Sequence, residues 1–79
     1  MTEQQIQKKI IDRYTAKGWY VIKLIKTNKN GIPDLLCLKN GEHPLFIEVK
    51  TETGRLSKLQ EYRIDELKKA GFDAEVLRN

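Results

Sequence analysis

The centre of the predicted fold is residues 44–51, which read Pro44-Leu45-Phe46-Ile47-Glu48-Val49-Lys50-Thr51. Aromatic and β-branched residues are frequent in this stretch, so we predict a β-strand. Side chains alternate between the two faces of a strand, which places Glu48 and Lys50 on one face and Ile47 and Val49 on the other. A charged pair on an otherwise apolar strand indicates either a functional site or an edge strand whose polar face lies in water.

Capping residues, turn residues and periodicity predict the elements on both sides of this strand. Two capping boxes each precede a helix, and the capping pairs are Thr2 with Gln5 and Ser57 with Gln60. The helices are predicted to end at Gly18 and Gly71. Further strands are predicted at residues 19–26, 34–39 and 73–78. The predicted order is αβββαβ, an α/β fold with a small mixed sheet flanked by helices.

The composition limits the classes of protein to which the chain can belong. It has 79 residues, of which 39% are hydrophobic and 33% charged, and this predicts one compact domain over residues 1–79. No window approaches the roughly 20 apolar residues of a membrane span. No glycine-rich nucleotide loop is present, so no nucleotide cofactor is expected. The single cysteine, Cys37, and the absence of a readable signal peptide predict a cytoplasmic protein.

Positive charge is concentrated in the first part of the chain. Residues 1–31 contain seven Lys or Arg against two acids, a net charge of +5, whereas the remaining residues carry −1. A basic surface attracts polyanions and gains from the release of their counterions. The charge pattern therefore favours a nucleic-acid partner, and a solubilising surface is the alternative.

The hairpin around Asn40-Gly41 decides whether Asp34 meets Glu48. A three-residue loop places the two acids directly opposite each other. Carboxylates about 5 Å apart repel by roughly 3 kcal/mol at an effective dielectric near 20, so such a pair calls for a cation, and oxygen ligands select Mg²⁺ or Mn²⁺. A two-residue type I′ turn instead pairs Lys39 with Glu42 and puts Asp34 on the other face. Local turn chemistry slightly favours this second register.

Three short segments carry polar residues at a recognisable spacing. They are Gly31-Ile32-Pro33-Asp34, Phe46-Ile47-Glu48-Val49-Lys50-Thr51 and Leu56-Ser57-Lys58-Leu59-Gln60. Together they resemble the PD-(D/E)XK nuclease superfamily, and more narrowly its virus-type replication-repair nuclease (VRR-NUC) domain. The resemblance covers nearly the whole chain and implies a restriction-endonuclease-like core. Its Glu-X-Lys pair is common in strands, whereas the Gly-X-Pro-Asp segment followed by a helix-borne Ser-X-X-Gln is more specific.

The resemblance also implies roles for individual residues. In that family an aspartate and a glutamate hold a divalent metal with the help of a main-chain carbonyl, and a lysine orients or activates the attacking water. The resemblance therefore implies that Asp34, Glu48 and the Val49 carbonyl bind Mg²⁺ or Mn²⁺. Lys50 would then be the catalytic lysine.

Glu3 and Gln60 are two further candidates for the catalytic site. Glu3 would be the acidic residue of the family's first helix and a third metal ligand, and a helical wheel turns it inward with Ile6 and Ile10. An ordinary acid in the first turn of a helix is the alternative. Gln60 would contribute to catalysis, although its capping box with Ser57 explains it without any catalytic role.

These observations lead us to expect a metal-dependent endonuclease that hydrolyses DNA. Candidate phosphate contacts, with solvated surface as their alternative, are Lys29, Arg55 and Lys58. So small a chain is expected to select its substrate as a homodimer, whose two sites would suit a four-way junction, as in phage-type junction resolvases. The alternatives are a non-catalytic nucleic-acid-binding module, or a nuclease that acts on flaps, single strands or RNA.

Overall fold

A computed structural model describes residues 1–78, which form two helices and one four-stranded sheet. In chain order the elements are α1 (Glu3–Ala16), β1 (Tyr20–Lys23), β2 (Leu35–Leu38), β3 (Leu45–Lys50), α2 (Lys58–Lys69) and β4 (Asp73–Arg78). This confirms the predicted αβββαβ order and the mixed α/β class. No helix among these residues has the length and apolar character that crossing a membrane requires.

Both predicted capping boxes are present at the starts of the helices. The hydroxyl of Thr2 accepts a hydrogen bond from the Gln5 backbone N–H, and the Gln5 side chain accepts one from the Thr2 N–H. Ser57 and Gln60 form the same reciprocal pair before α2. Each box satisfies two backbone donors that the first turn of a helix would leave without partners.

The sheet has the order β1-β2-β3-β4, and β3 lies inside it. The pairs β1/β2 and β2/β3 are antiparallel, whereas β3 and β4 are parallel and are joined through α2. The interpretation of residues 44–51 as an edge strand is therefore wrong. A central position leaves the faces of β3 open unless another element covers them, and Glu48 on one of these faces is only 2% exposed.

The main core lies on the α1 side of the sheet. Its buried members are Ile6, Ile10, Leu35, Cys37, Ile47 and Val49. Alternation along β3 turns Phe46, Glu48 and Lys50 toward the opposite side, where Phe46 makes an edge contact with Phe72. Burial raises the pKa of Cys37 to about 11, so its thiol stays protonated and serves as a packing group, as predicted.

The hairpin between β2 and β3 combines features of both predicted registers. The backbone N–H of Glu42 donates to the Lys39 carbonyl at 3.0 Å, and Gly41 has φ +83°, so the Asn40-Gly41 segment does form a tight turn. Strand pairing begins at Cys37 opposite Leu45 and continues away from the turn to Leu35 opposite Ile47. This is the register that places Asp34 opposite Glu48, and the slight preference for the other register was wrong.

Candidate active site

Asp34 lies immediately before β2, next to the pair formed by Leu35 and Ile47. Its Oδ2 atom accepts a hydrogen bond from the Val49 backbone N–H at 2.8 Å. The N–H and C=O groups of one strand residue point to the same side, so the Val49 carbonyl is also directed toward the Asp34 side of β3. The carboxylate of Asp34 and the carbonyl of Val49 therefore lie at the same end of the sheet.

Glu48 is a buried acid with another acid beside it. Its exposed fraction is 2%, the lowest of any charged residue in the described chain. The pKa of Glu48 is raised from its ordinary 4.5 to about 8, chiefly by desolvation and further by the charge of Asp34 and a side-chain hydrogen bond to it. Water screens charges weakly at this poorly solvated place, so the two carboxylates repel each other when both are ionised. A bound cation would relieve this repulsion.

Lys50 and Gln60 are the polar partners of Glu48 besides Asp34. The Lys50 Nζ atom lies 3.8 Å from Glu48 Oε2, and the lysine lowers the pKa of the acid, although it does not offset burial. Gln60 Nε2 donates to the same oxygen at 3.4 Å. Because Gln60 Oε1 already accepts from the Ser57 backbone N–H, the capping box fixes which end of the amide faces Glu48. The capping role and the contact with the site thus occur together.

Glu3 is placed differently from its prediction. Ile6 and Ile10 are buried as expected, but Glu3 is exposed in the first turn of α1 rather than turned into the sheet. It is still close enough for its charge to raise the pKa of Glu48. Within residues 1–78 no three His, Cys, Asp or Glu side chains form a cluster that could hold a metal ion. The structure therefore does not bring Glu3 into a three-acid cluster with Asp34 and Glu48.

Without Glu3, the oxygen donors of the site still fit a hard divalent cation. Asp34 and Glu48 supply carboxylate oxygens, and the Val49 carbonyl supplies a neutral one, the ligand types that Mg²⁺ and Mn²⁺ prefer. Mg²⁺ commonly takes one or two carboxylates and keeps several waters, so a third acid is not required. The raised pKa of Glu48 agrees with this donor set, because a cation would supply the positive charge that the pair lacks.

The three predicted phosphate contacts are spread around this end of the sheet. Lys29 lines a cavity of about 330 Å³ that Asp34 also lines, in the loop between β1 and β2. Arg55 lies in the loop before α2 and Lys58 is the first residue of α2, and both are exposed. Of the three, Lys29 is the one that shares a cavity with a candidate metal ligand.

Two arginines that hold the neighbouring loops were missed from the sequence. Arg63 Nε donates to the Asn30 carbonyl at 2.8 Å, and Arg78 donates to the carbonyls of Thr51 and Gly54 in the loop after Lys50. A signal existed for Arg63, because it follows Gln60 by three positions and so lies on the same side of the helix. No sequence signal existed for Arg78, whose contacts depend on the parallel pairing of β4 with β3.

Comparisons with known proteins identify the family to which this fold belongs. The sequence matches the VRR-NUC domain over residues 1–79. A solved structure described as a VRR_NUC domain is similar to the chain with a TM-score of 0.87 and 29% sequence identity, and the match covers 98% of this chain and 84% of the other. No curated protein shows significant similarity to this sequence.

Proposed function

Since the chain belongs to the VRR-NUC family of nuclease domains, we propose that it is a metal-dependent endonuclease that hydrolyses phosphodiester bonds of DNA. The observation that carries this proposal is the pairing of Asp34 with buried Glu48, with Lys50 beside them. A buried acid with a second acid beside it is costly for folding alone, which favours a functional reason for its presence.

Asp34, Glu48 and the Val49 carbonyl would hold Mg²⁺ or Mn²⁺. The ion, when bound, supplies a Lewis acid for a phosphate oxygen and lowers the pKa of a water molecule. Glu48 must lose its proton to serve as a ligand, and the ammonium of Lys50, 3.8 Å from its Oε2, favours the ionised form. The amide of Gln60 holds this carboxylate in one orientation. Glu3 contributes through its charge at the edge of the site.

Lys50 would act on the water and on the charge that develops at phosphorus. Its side chain is only 12% exposed, so its ammonium group lies in a poorly solvated environment where its charge is screened weakly. An ammonium placed in this way stabilises developing negative charge and orients a nucleophilic water for attack. Lys29, Arg55 and Lys58 would bind phosphates on either side of the bond that is cut.

The direct test is cleavage of labelled DNA with added Mg²⁺ or Mn²⁺. We expect products in the presence of either ion and none in excess EDTA, and Lys50→Ala should abolish cleavage while keeping most DNA binding. A wild-type chain that binds DNA yet cuts no DNA form with either ion would instead be a non-catalytic binding module. Cleavage confined to flaps, single strands or RNA would retain the chemistry and change the substrate.

We also propose that two copies of the chain associate and cut a four-way DNA junction, in the cytoplasm of a bacterial or phage-infected cell. Four apolar side chains form a patch on the side of the sheet opposite α1, here called the β1–β2 patch. They are Tyr20, Ile22, Leu36 and Leu38, and the register pairs Tyr20 with Leu38 and Ile22 with Leu36. The helix on this side, α2, packs chiefly on β4. Tyr20 is 70% exposed.

A second copy of the chain is the proposed occupant of this surface. Phe72, 40% exposed, extends the β1–β2 patch through its contact with Phe46, which neighbours Leu36 in the sheet. A stable dimer buries roughly 800 Å² on each partner, and this is about one seventh of the 5528 Å² surface of the chain. Such a small domain also has a thin core that association would stabilise.

Mass and substrate preference test this second proposal. We expect a dimeric mass by light scattering at micromolar concentration and faster cleavage of a four-way junction than of linear duplex with the same arms. A monomer that cuts both substrates equally would remove the dimer and the junction preference but leave the nuclease assignment intact.

A further inference from the structure

Helix α2 contacts both halves of the candidate active site, through side chains in its first two turns. Gln60 reaches Glu48 on β3, and Arg63, one turn later, reaches the carbonyl of Asn30 in the loop that leads to Asp34. Glu48 is contacted directly by the helix, and Asp34 is linked to the helix through the loop that precedes it. The spacing between them therefore depends on α2 as well as on the sheet.

The contact of Arg63 with the loop is specific. Its Nε donates to Asn30 O at 2.8 Å, and its Nη1 lies 3.2 Å from Glu66 Oε1, which fixes the plane of the guanidinium group. The Arg63 side chain is only 17% exposed, and it lies against the ring of Tyr62. An arginine held on both sides in this way is a rigid support rather than a mobile surface charge.

A second contact holds the same loop one residue later. Gly31 has φ +80°, and a Cβ atom built on it would lie 2.7 Å from Leu59 Cγ. The loop backbone therefore passes directly against the first turn of α2. Arg63 and Leu59 together hold Asn30 and Gly31, which stand four and three residues before Asp34, respectively.

We propose that Arg63 is a positioning residue of the metal site: through the Asn30 carbonyl it holds the β1–β2 loop so that Asp34 stays at binding distance from Glu48. This inference rests on the proposed function, because it concerns the same pair of carboxylates. Arg63 touches neither acid and takes no part in the chemical step. The hydrogen bond from the Val49 N–H would still hold the Asp34 carboxylate after the loss of Arg63, but the loop backbone before Asp34 would no longer be held, so the distance between the two acids would vary more.

The test compares Arg63→Ala and Arg63→Lys with the wild type and with Lys69→Ala. Lys69 forms a 3.0 Å ion pair with Asp65 on the exposed side of the same helix and makes no loop contact, so it is a matched control. Mn²⁺ affinity is measured by titration calorimetry on the metal-free chain. Removal of a supporting residue outside the ligand set commonly weakens metal binding 10- to 100-fold.

We expect Mn²⁺ binding to weaken about tenfold or more in both Arg63 variants and to remain unchanged in Lys69→Ala. Amide hydrogen exchange in residues 29–34 of the metal-free protein should speed up in the Arg63 variants alone. Arg63→Lys keeps the charge and the helix, so it provides the comparison if Arg63→Ala does not fold. DNA binding without metal should change little, which separates this role from phosphate contact.

Two results would overturn the inference, and they are distinguishable. If the wild type binds Mn²⁺ and a folded Arg63→Lys binds it equally well, Arg63 does not position the site, while the proposed nuclease function stands. If the wild type binds no Mn²⁺ at all, the proposed function fails and this role for Arg63 fails with it.

Discussion

Asp34 and Val49 are joined by a hydrogen bond of 2.8 Å between the carboxylate Oδ2 and the backbone N–H. The acid is therefore fixed by the same strand that carries Glu48. A carboxylate in this place satisfies a strand donor next to Pro33, and proline has no N–H of its own to extend the ladder. The Asp34 side chain thus has both a structural role, as a hydrogen-bond acceptor, and a proposed role as a metal ligand. Substitutions at this position can separate the two roles.

Asp34→Asn should abolish metal binding and cleavage while the fold persists. The amide oxygen can still accept from the Val49 N–H, but the charge that attracts the cation is gone. Asp34→Ala should in addition lower the free energy of unfolding by about 1 kcal/mol, because it leaves that donor without a partner. Mn²⁺ titration and thermal unfolding distinguish the two variants. Unchanged Mn²⁺ affinity in Asp34→Asn would rule out Asp34 as a ligand.

The stability of the metal-free protein should fall as the pH rises from about 4.5 to about 8. Below this range Glu48 is protonated in both the folded and the unfolded state. Within it, the unfolded state ionises while the raised pKa of about 8 keeps the folded acid protonated, so the free energy of unfolding falls by up to about 1.4 kcal/mol per pH unit. Above it, both states are ionised and the loss is complete.

Denaturant unfolding in EDTA at several pH values measures this slope. Glu48→Gln should remove the dependence that Glu48 contributes, because the amide does not ionise, and should make the metal-free chain more stable than wild type near pH 8. The control is Glu42→Gln, which changes an exposed acid in the hairpin. An identical slope in wild type and Glu48→Gln would contradict the buried acid pair.

Lys50→Met should lower the cleavage rate by at least about 100-fold with little change in DNA affinity, given the usual size of electrostatic stabilisation in a poorly solvated site. Methionine keeps most of the apolar stem and removes the ammonium group 3.8 Å from Glu48 Oε2. The same change should raise the pKa of Glu48 further, because Lys50 lowers it. Single-turnover cleavage and DNA binding in Ca²⁺ give the two readouts, with Lys9→Met on the exposed side of α1 as the control.

Gly31→Ala should destabilise the chain by about 1–2 kcal/mol through its backbone conformation alone, since φ +80° is unfavourable for any residue with a Cβ atom. The new methyl group would also collide with Leu59, 2.7 Å away. Leu59→Ala in the same chain should remove the collision but not the backbone strain. The double variant should therefore regain only the part of the stability that the collision had cost. Chemical denaturation of the single and double variants gives the coupling, and strictly additive effects would show that the collision is relieved elsewhere.

Tyr20→Glu should convert a dimer into a monomer, because it places a charge in the middle of the β1–β2 patch. The matched variant Thr15→Glu introduces the same charge on the exposed side of α1, on the opposite side of the sheet, and should leave the mass unchanged. Light scattering over a range of concentrations reads the outcome. Equal masses for both variants and wild type would place any interface somewhere else.

Local signals were sufficient for the helices and for most of the strands. Each capping box formed at the residues where it was expected, and β4 has the predicted bounds of Asp73–Arg78. The prediction failed where a decision depended on distant contacts. Glu3 follows the helical wheel, but α1 has only just begun at this residue, so the sheet does not cover it.

The sequence by itself determined the order of the elements and the alternation that puts Glu48 and Lys50 on one face of β3, because caps, turns and side-chain periodicity act over a few residues. Only the tertiary structure decided that Asp34 lies opposite Glu48 and that α2 contacts both. The Asn40-Gly41 turn is compatible with more than one register, and the choice among them is made by apolar pairs such as Leu35 with Ile47, which bury their side chains against α1. Packing between distant segments, rather than the turn, therefore brings the two acids together.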